Sequence, residues 1–201
     1  MSDSPDILIG GAGIAGLTLA LCLADAGMNV RVIERGTKPG SAEPASGLEG
    51  WDVRVSALTA ASESLFRRLG VWESIDPDRL GPYQGMSVWD AEGTGHIAFS
   101  AAQIGASTLG QIVENRCIIA ALIAGAERRP RLEIIWDDGI DEVHPTDTAI
   151  GVMLKSGESL SAGLLVGADG GRSTVRELAS LPVRAWSYEQ HAVVGTVQLA
   201  T

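Results

Sequence analysis

An apolar run, Ile7-Leu8-Ile9-Gly10, passes directly into Gly11-Ala12-Gly13-Ile14-Ala15-Gly16 and then into a long aliphatic stretch of helical character. No other feature restricts the fold as much, because a strand that turns through three spaced glycines into a helix opens a dinucleotide-binding βαβ unit. Each glycine has its own task. Gly11 permits the tight turn, Gly13 lets a pyrophosphate come up to the backbone, and Gly16 lets the helix pack closely on the strand. The N–H groups of the first helical turn and the positive end of its dipole then receive the phosphates without any basic side chain. The backbone of Ala12, Ile14 and Ala15 belongs to the same expected site.

The residues that follow keep the register. Met28 to Ile33 reads as a second short strand ending at Glu34, close to the spacing of about 20 residues at which such units place an acid. A carboxylate there can accept both hydroxyl protons of an adenosine ribose and would repel the extra phosphate of NADP. Arg35 sets a positive charge beside it. Strand, glycines, helix, strand and acid together point to an adenine dinucleotide.

Composition narrows the partners. The formal net charge of −10 disfavours nucleic acid and anionic membrane surfaces, which need clustered Lys and Arg. Cys22 and Cys117 each fall inside an apolar helical pattern, with no CxxC and no adjacent His, so they read as buried, reduced thiols and not as a metal site. The stretch Ile7 to Ala24 carries no charge and has the length of a membrane span, but its glycines follow the fingerprint order. No transmembrane segment is expected.

Further along, Lys38 to Trp51 reads as a surface loop, and Ser56 to Leu69 as a helix stopped by Gly70. Met86–Asp90 and His96–Ser100 read as a hairpin leading out of the first sheet. Asn115 to Arg128 reads as a helix. Leu132–Trp136, Gly139–His144, Ile150–Lys155 and Ser159–Val166 read as the strands of a small meander that returns to the main sheet. The return runs into Gly167-Ala168-Asp169-Gly170-Gly171-Arg172-Ser173-Thr174, a second glycine-rich turn. There Asp169 can accept from hydroxyls and Ser173 can cap the following helix.

Four motifs in this order resemble the FAD-dependent aromatic hydroxylases, and within them the ubiquinone-biosynthesis branch of the UbiH, UbiF and VisC type. They are the GxGxxG, Asp52-Val53-Arg54-Val55-Ser56-Ala57-Leu58, Val113-Glu114-Asn115-Arg116, and Gly167-Ala168-Asp169-Gly170 with Ser173 and Arg176. The resemblance implies an α/β fold: a Rossmann-like, doubly wound FAD-binding sheet with a small β-meander, interleaved with part of an antiparallel-sheet substrate domain. It divides the chain into a first FAD-binding segment at 1–80, an excursion into the substrate domain at 81–110, a second FAD-binding segment at 111–182 and the start of the substrate domain at 183–201. Arg54 would reach the flavin side of FAD, Gln111 or Arg116 would add a contact from the next helix region, and Asp169 belongs to a motif that serves FAD.

The family reaction draws electrons from NAD(P)H and oxygen from dioxygen to hydroxylate a phenolic ring, commonly a polyprenylated ubiquinone precursor. The cofactor supplies the difficult chemistry, so no catalytic side chain and no metal ligand is assigned. The later Asp-containing flavin motif of the family is missing, and Val193 to Thr201 reads as a strand-like run. The chain is therefore expected to be the N-terminal part of a longer enzyme, inactive by itself. The resemblance also implies a cytoplasmic enzyme, peripheral to the inner membrane when complete, as a homo-oligomer or in a biosynthetic complex. Two alternatives are another FAD oxidoreductase, of halogenase or isoprenoid-reductase type, and a non-catalytic flavoprotein subunit.

Overall fold

The computed structural model of the chain describes residues 4–40 and 50–197, so the expected loop over Lys38–Trp51 lies mostly outside the described residues. The described residues of 1–43 and 122–194 form one compact unit, and those of 44–121 and 195–201 a second.

The first unit holds a parallel sheet. Strand β1 (Ile7–Gly10) leads through the glycine turn into helix α1 (Ile14–Asp25) and back to strand β2 (Val30–Ile33). The uncharged stretch Ile7 to Ala24 is thus a strand, a turn and a helix. The Leu8, Ile9, Leu17 and Leu21 side chains within it are shut off from solvent.

The second unit begins with strand β3 (Val55–Thr59) and helix α2 (Ala60–Arg68). Strands β4 (Leu80–Tyr83), β5 (Gly85–Trp89), β6 (His96–Ser100) and β7 (Gly110–Glu114) follow. Strand β7 is the centre of an antiparallel sheet of order β3-β7-β4, and among the described residues β5 pairs only with β6. Met86, Val88, Ile97 and Phe99 share one face of this hairpin and are exposed. Helix α3 (Asn115–Glu127) leads out of the unit.

Back in the first unit, strand β8 (Leu132–Ile135) joins the parallel sheet beside β2. Strands β9 (Ile140–Pro145), β10 (Ile150–Leu154) and β11 (Ser159–Ala162) form an antiparallel meander. Strand β12 (Leu164–Gly167) then pairs with β1, and the short helix α4 (Thr174–Leu178) follows. Leu8 and Ile33 pack on meander residues Ile140, Val152, Leu154 and Leu160 in one buried cluster. Side chains alternate along a strand, so Ile9, Val30 and Val32 turn to the other face, where α1 lies against β1, β2 and β8. A parallel sheet covered on both faces explains the apolar runs of its strands, interrupted only in β2 and β8 by the paired Arg31 and Glu133.

Several boundaries differ from the sequence reading. Ser56 to Thr59 is strand and not helix: all of Val55–Thr59 pairs with β7, and the Thr59 side chain accepts from the Ser62 N–H, so the helix starts at Ala60. Ser159 to Val166 is two strands in two sheets. The break is Gly163, whose N–H donates to the Asp6 carbonyl at 3.0 Å. Leu132–Ile135 belongs to the parallel sheet and not to the meander, because it continues the register of β2. Cys22 and Cys117 are free but only half-buried. Residues 193–197 form no strand, having no pairing partner among the described residues.

Candidate functional site

The parallel sheet has the order β12-β1-β2-β8, so the chain advances from β1 towards β8 on one side and returns to β12 on the other. The reversal beside β1 opens a crevice at the carboxyl ends of the strands, the place where open α/β sheets take ligands. A cleft of about 290 Å³ lies there, lined by Gly10, Gly11 and Gly13, by Ile33 to Arg35, by Asp138 to Ile140 with Lys155, and by Ala168 to Gly170 with Thr174.

The three fingerprint glycines do different work. Gly11 has φ +105°, a left-handed backbone, and a Cβ on it would stand 2.5 Å from the Ala168 carbonyl oxygen. The first loop therefore packs against the second with no room for a side chain. A Cβ on Gly16 would lie 2.0 Å from the Gly11 carbonyl oxygen, so the helix can lie this close only with glycine there. A Cβ on Gly13 would meet nothing within 4 Å, and this residue faces the cleft.

Gly13 is also the N-cap of α1, with no side chain capping the helix and no acid in its first turn. The first-turn N–H groups at Ile14 and Ala15 are thus left to an anion. That arrangement fits a pyrophosphate.

Glu34 is half-buried at the end of β2. The Ala12 N–H donates to its Oε2 at 2.7 Å and the Gly36 N–H to its Oε1 at 2.8 Å. The backbone thereby fixes the carboxylate, and each oxygen keeps a lone pair for a hydroxyl. Arg35 is exposed beside it.

On the opposite wall, Asp169 accepts from the Ser173 hydroxyl, from the Thr174 N–H at 2.6 Å and from the Val175 N–H at 3.2 Å. Ser173 accepts in turn from the Arg176 N–H at 3.1 Å, capping α4 as its sequence position suggested. Burial works against ionisation of Asp169, but the Ser173 hydroxyl and the backbone donors outweigh it and hold its carboxyl below the usual range.

Arg54, Gln111 and Arg116 belong to the second unit. Arg54 is exposed ahead of β3, its N–H donating to Asp52 Oδ1 at 3.0 Å and its carbonyl accepting from the Asn115 N–H at 2.9 Å. Gln111 lies within β7, not in a helix region, and its Oε1 is buried without a partner among the described residues. A buried amide oxygen with no donor is costly, so this one has the capacity to accept from a hydroxyl or N–H.

The residue that sequence reasoning missed is Glu114, whose side chain is only 3% exposed. It takes the Asp52 N–H at 2.5 Å, Arg79 at 3.1 Å and Arg116 at 2.8 Å. Burial raises its pKa, yet the Asp52 N–H and the two guanidiniums prevail and keep it low. Arg116, expected to touch the cofactor, is engaged with Glu114 and with the Gly50 carbonyl. Arg79 lies 4.2 Å from the centre of the Trp51 ring. The Glu114 side of this cluster stood within a quoted motif, but its partner Arg79 carries no local signal. Among the described residues no group of His, Cys, Asp or Glu could hold a metal, and no helix is long and apolar enough to cross a membrane.

This crevice, glycine turn and terminal acid define an adenine-dinucleotide domain of the flavoprotein kind. The chain belongs to the FAD binding domain family, whose model matches residues 4–200. It is similar to the 3-demethoxyubiquinol 3-hydroxylase of Escherichia coli, with 38% identity over 98% of this chain and 50% of that protein. It is 32% identical to the ubiquinone biosynthesis monooxygenase COQ6 of Drosophila melanogaster, over 96% of this chain and 42% of that protein. Among solved structures, a variant of PqsL from P. aeruginosa shares the fold with a TM-score of 0.74 at 22% identity, over 92% of this chain and 48% of that one. The p-nitrophenol 4-monooxygenase PnpA of Pseudomonas putida does so with a TM-score of 0.69 at 22% identity, over 90% and 45%. The chain spans about half the length of the curated relatives it matches.

Proposed function

We propose that this chain is the FAD-binding portion of a flavin-dependent aromatic monooxygenase that hydroxylates a phenolic, polyprenylated ubiquinone precursor at the expense of NAD(P)H and dioxygen. The observation that carries the reading is the cleft itself. An uncapped helix start at Gly13 and a fixed carboxylate at Glu34 face one crevice, and the chain's similarity to ubiquinone hydroxylases supplies the substrate class.

In this reading the N–H groups of Gly13, Ile14 and Ala15 bind the pyrophosphate, with Gly11, Ala12 and Gly16 shaping the turn that presents them. Glu34 accepts the hydroxyls of the adenosine ribose, and Arg35 borders that end. Asp169 holds the second loop in place through α4, and its outer face accepts from the cofactor. Gln111 receives a donor of the flavin half, Arg54 reaches the same half, and Arg116 acts through the backbone around Gly50. When bound, FAD supplies the redox chemistry, taking electrons from the nicotinamide donor and activating oxygen. The protein's share is to bind, orient and exclude water.

The hairpin within 81–110 and the residues from 183 onward contribute to the substrate domain, and the enzyme works from the cytoplasm with peripheral access to the inner membrane. The test is to express the full-length enzyme that contains this chain, unaltered or with Glu34→Ala, and to measure bound FAD and hydroxylation of a demethoxyubiquinol. The expected result is a yellow, hydroxylating wild-type enzyme and a variant that loses at least about tenfold in FAD affinity, as loss of charge-assisted hydrogen bonds requires. Full flavin occupancy of the variant would remove Glu34 from the site. Reduction of another substrate class without hydroxylation would replace the monooxygenase reading.

A further inference from the structure

One residue at the outer end of the cleft joins three separate pieces of chain, two through its carboxylate and the third through its backbone N–H, and has no part in the roles above. Asp138 stands in the turn between β8 and β9. The N–H of Asp138 donates to the Glu34 carbonyl at 3.2 Å and that of Asp137 to the Gly36 carbonyl at 3.1 Å, tying this turn to the end of β2. The Asp138 Oδ1 accepts from the Gly139 N–H at 2.8 Å and from the Ser156 N–H at 3.2 Å. Beside it, the Lys155 N–H donates to the Gly139 carbonyl at 2.8 Å. The turn between β10 and β11 is thereby fastened to the turn between β8 and β9.

The fastening has a local cost, since Asp137 sits at φ 59°, a left-handed conformation that non-glycine residues seldom adopt. What it secures is the wall beyond Glu34. Gly139, Ile140 and Lys155 line the cleft there, and the Lys155 stem passes within 3.4 Å of where a Cβ on Gly139 would stand. Packed against each other, the Gly139 backbone and the Lys155 stem form one apolar wall of the slot beyond Glu34. Its neighbour is the carboxylate assigned to the ribose.

We propose that Asp138 is the positioning residue for the purine end of this cleft: by holding Gly139 and the Lys155 turn together, it sets the slot that receives the adenine. This inference rests on the reading of the cleft as the adenylate site. Asp138 acts through Gly139 and Lys155, so its removal weakens ligands that reach the slot and spares those that occupy only the helix N-terminus.

The test compares ADP with inorganic pyrophosphate, titrated calorimetrically into the protein unaltered, as Asp138→Ala and as Asp138→Asn, with melting of the ligand-free protein recorded for each. The expected result is that Asp138→Ala binds ADP about tenfold more weakly, the equivalent of one charge-assisted hydrogen bond, with unchanged affinity for pyrophosphate. Asp138→Asn, which keeps an acceptor for the two N–H groups, loses less. If Asp138→Ala does not fold, Asp138→Asn and Lys155→Ala give the same comparison, each with a selective loss of ADP. Equal ADP affinity in variant and wild type overturns the inference, and so does a parallel loss of ADP and pyrophosphate. Failure of the unaltered protein to bind ADP removes the adenylate reading and this inference with it.

Discussion

The two units treat buried charge in opposite ways. In the first, Glu34 and Asp169 are half-buried and satisfied mainly by backbone N–H groups, so lone pairs remain at the cleft surface. In the second, Glu114 is almost wholly enclosed and answered by two arginines, an arrangement that closes on itself. Backbone donors cost no side-chain entropy to fix and carry no net charge, which suits a site that must receive an anion and polar hydroxyls. A buried ion cluster stabilises chiefly by being complete. The first pattern prepares a surface, and the second holds a chain segment, Gly50 to Asp52, in place.

The largest effect expected is at Gly16. A side chain there meets the Gly11 carbonyl oxygen, so Gly16→Val should cost more than about 4 kcal/mol, the range reserved for gross core disruption, and abolish cooperative unfolding of the first unit in denaturant. Gly13→Ala, with open space for its Cβ, should cost no more than about 1 kcal/mol, the N-cap preference for glycine, and act mainly on ligand binding. If the two variants melt alike, the separate tasks of the two glycines are wrong.

Next in size is Glu114→Ala. It strands the largely buried Arg79 and should cost about 3–5 kcal/mol by urea unfolding, the cost of breaking a buried pair from one side. The same carboxylate makes stability pH-dependent. Its folded pKa is depressed, so the stability it adds is present in full above the unfolded value of about 4.3 and is lost as pH falls through the lower folded value. Glu114→Gln should flatten that acid limb, and an unchanged limb would show that other carboxylates carry it.

Helix caps should give smaller and matched losses in the two units. Ser173→Ala and Thr59→Ala each remove an N-cap acceptor and should cost about 1 kcal/mol, with Ser173→Ala higher because Asp169 also loses its hydroxyl donor. The smallest effect is expected at the solvent-exposed Lys38–Glu127 ion pair, where Lys38→Ala should change stability by less than about 1 kcal/mol.

What could be read from residues alone follows the same division. The glycine turn, Glu34 and the Ser173 cap are contiguous signals, each needing only a few neighbours; the meander shows in short strand patterns broken by turns, and the α/β class rests on the resemblance that the ordered motifs carry. The strand at Ser56 to Thr59 was hidden because its partner, β7, lies more than 50 residues further on, while its own residues also suit a helix. The break at Gly163 depends on the Asp6 carbonyl, far away in sequence. The pairing of Glu114 with Arg79 and the clasp at Asp138 are likewise made by distant partners. Long-range pairing of charges and backbone groups leaves no periodicity behind, and these features came to light only with the fold.

Amide NMR of the protein titrated with ADP tests most directly whether the helix start and its acid form an adenylate site. Saturable shifts at Gly13, Ile14, Ala15 and Glu34 are the predicted result. Shifts confined to residues away from that turn, with these four amides unmoved at saturation, would contradict it.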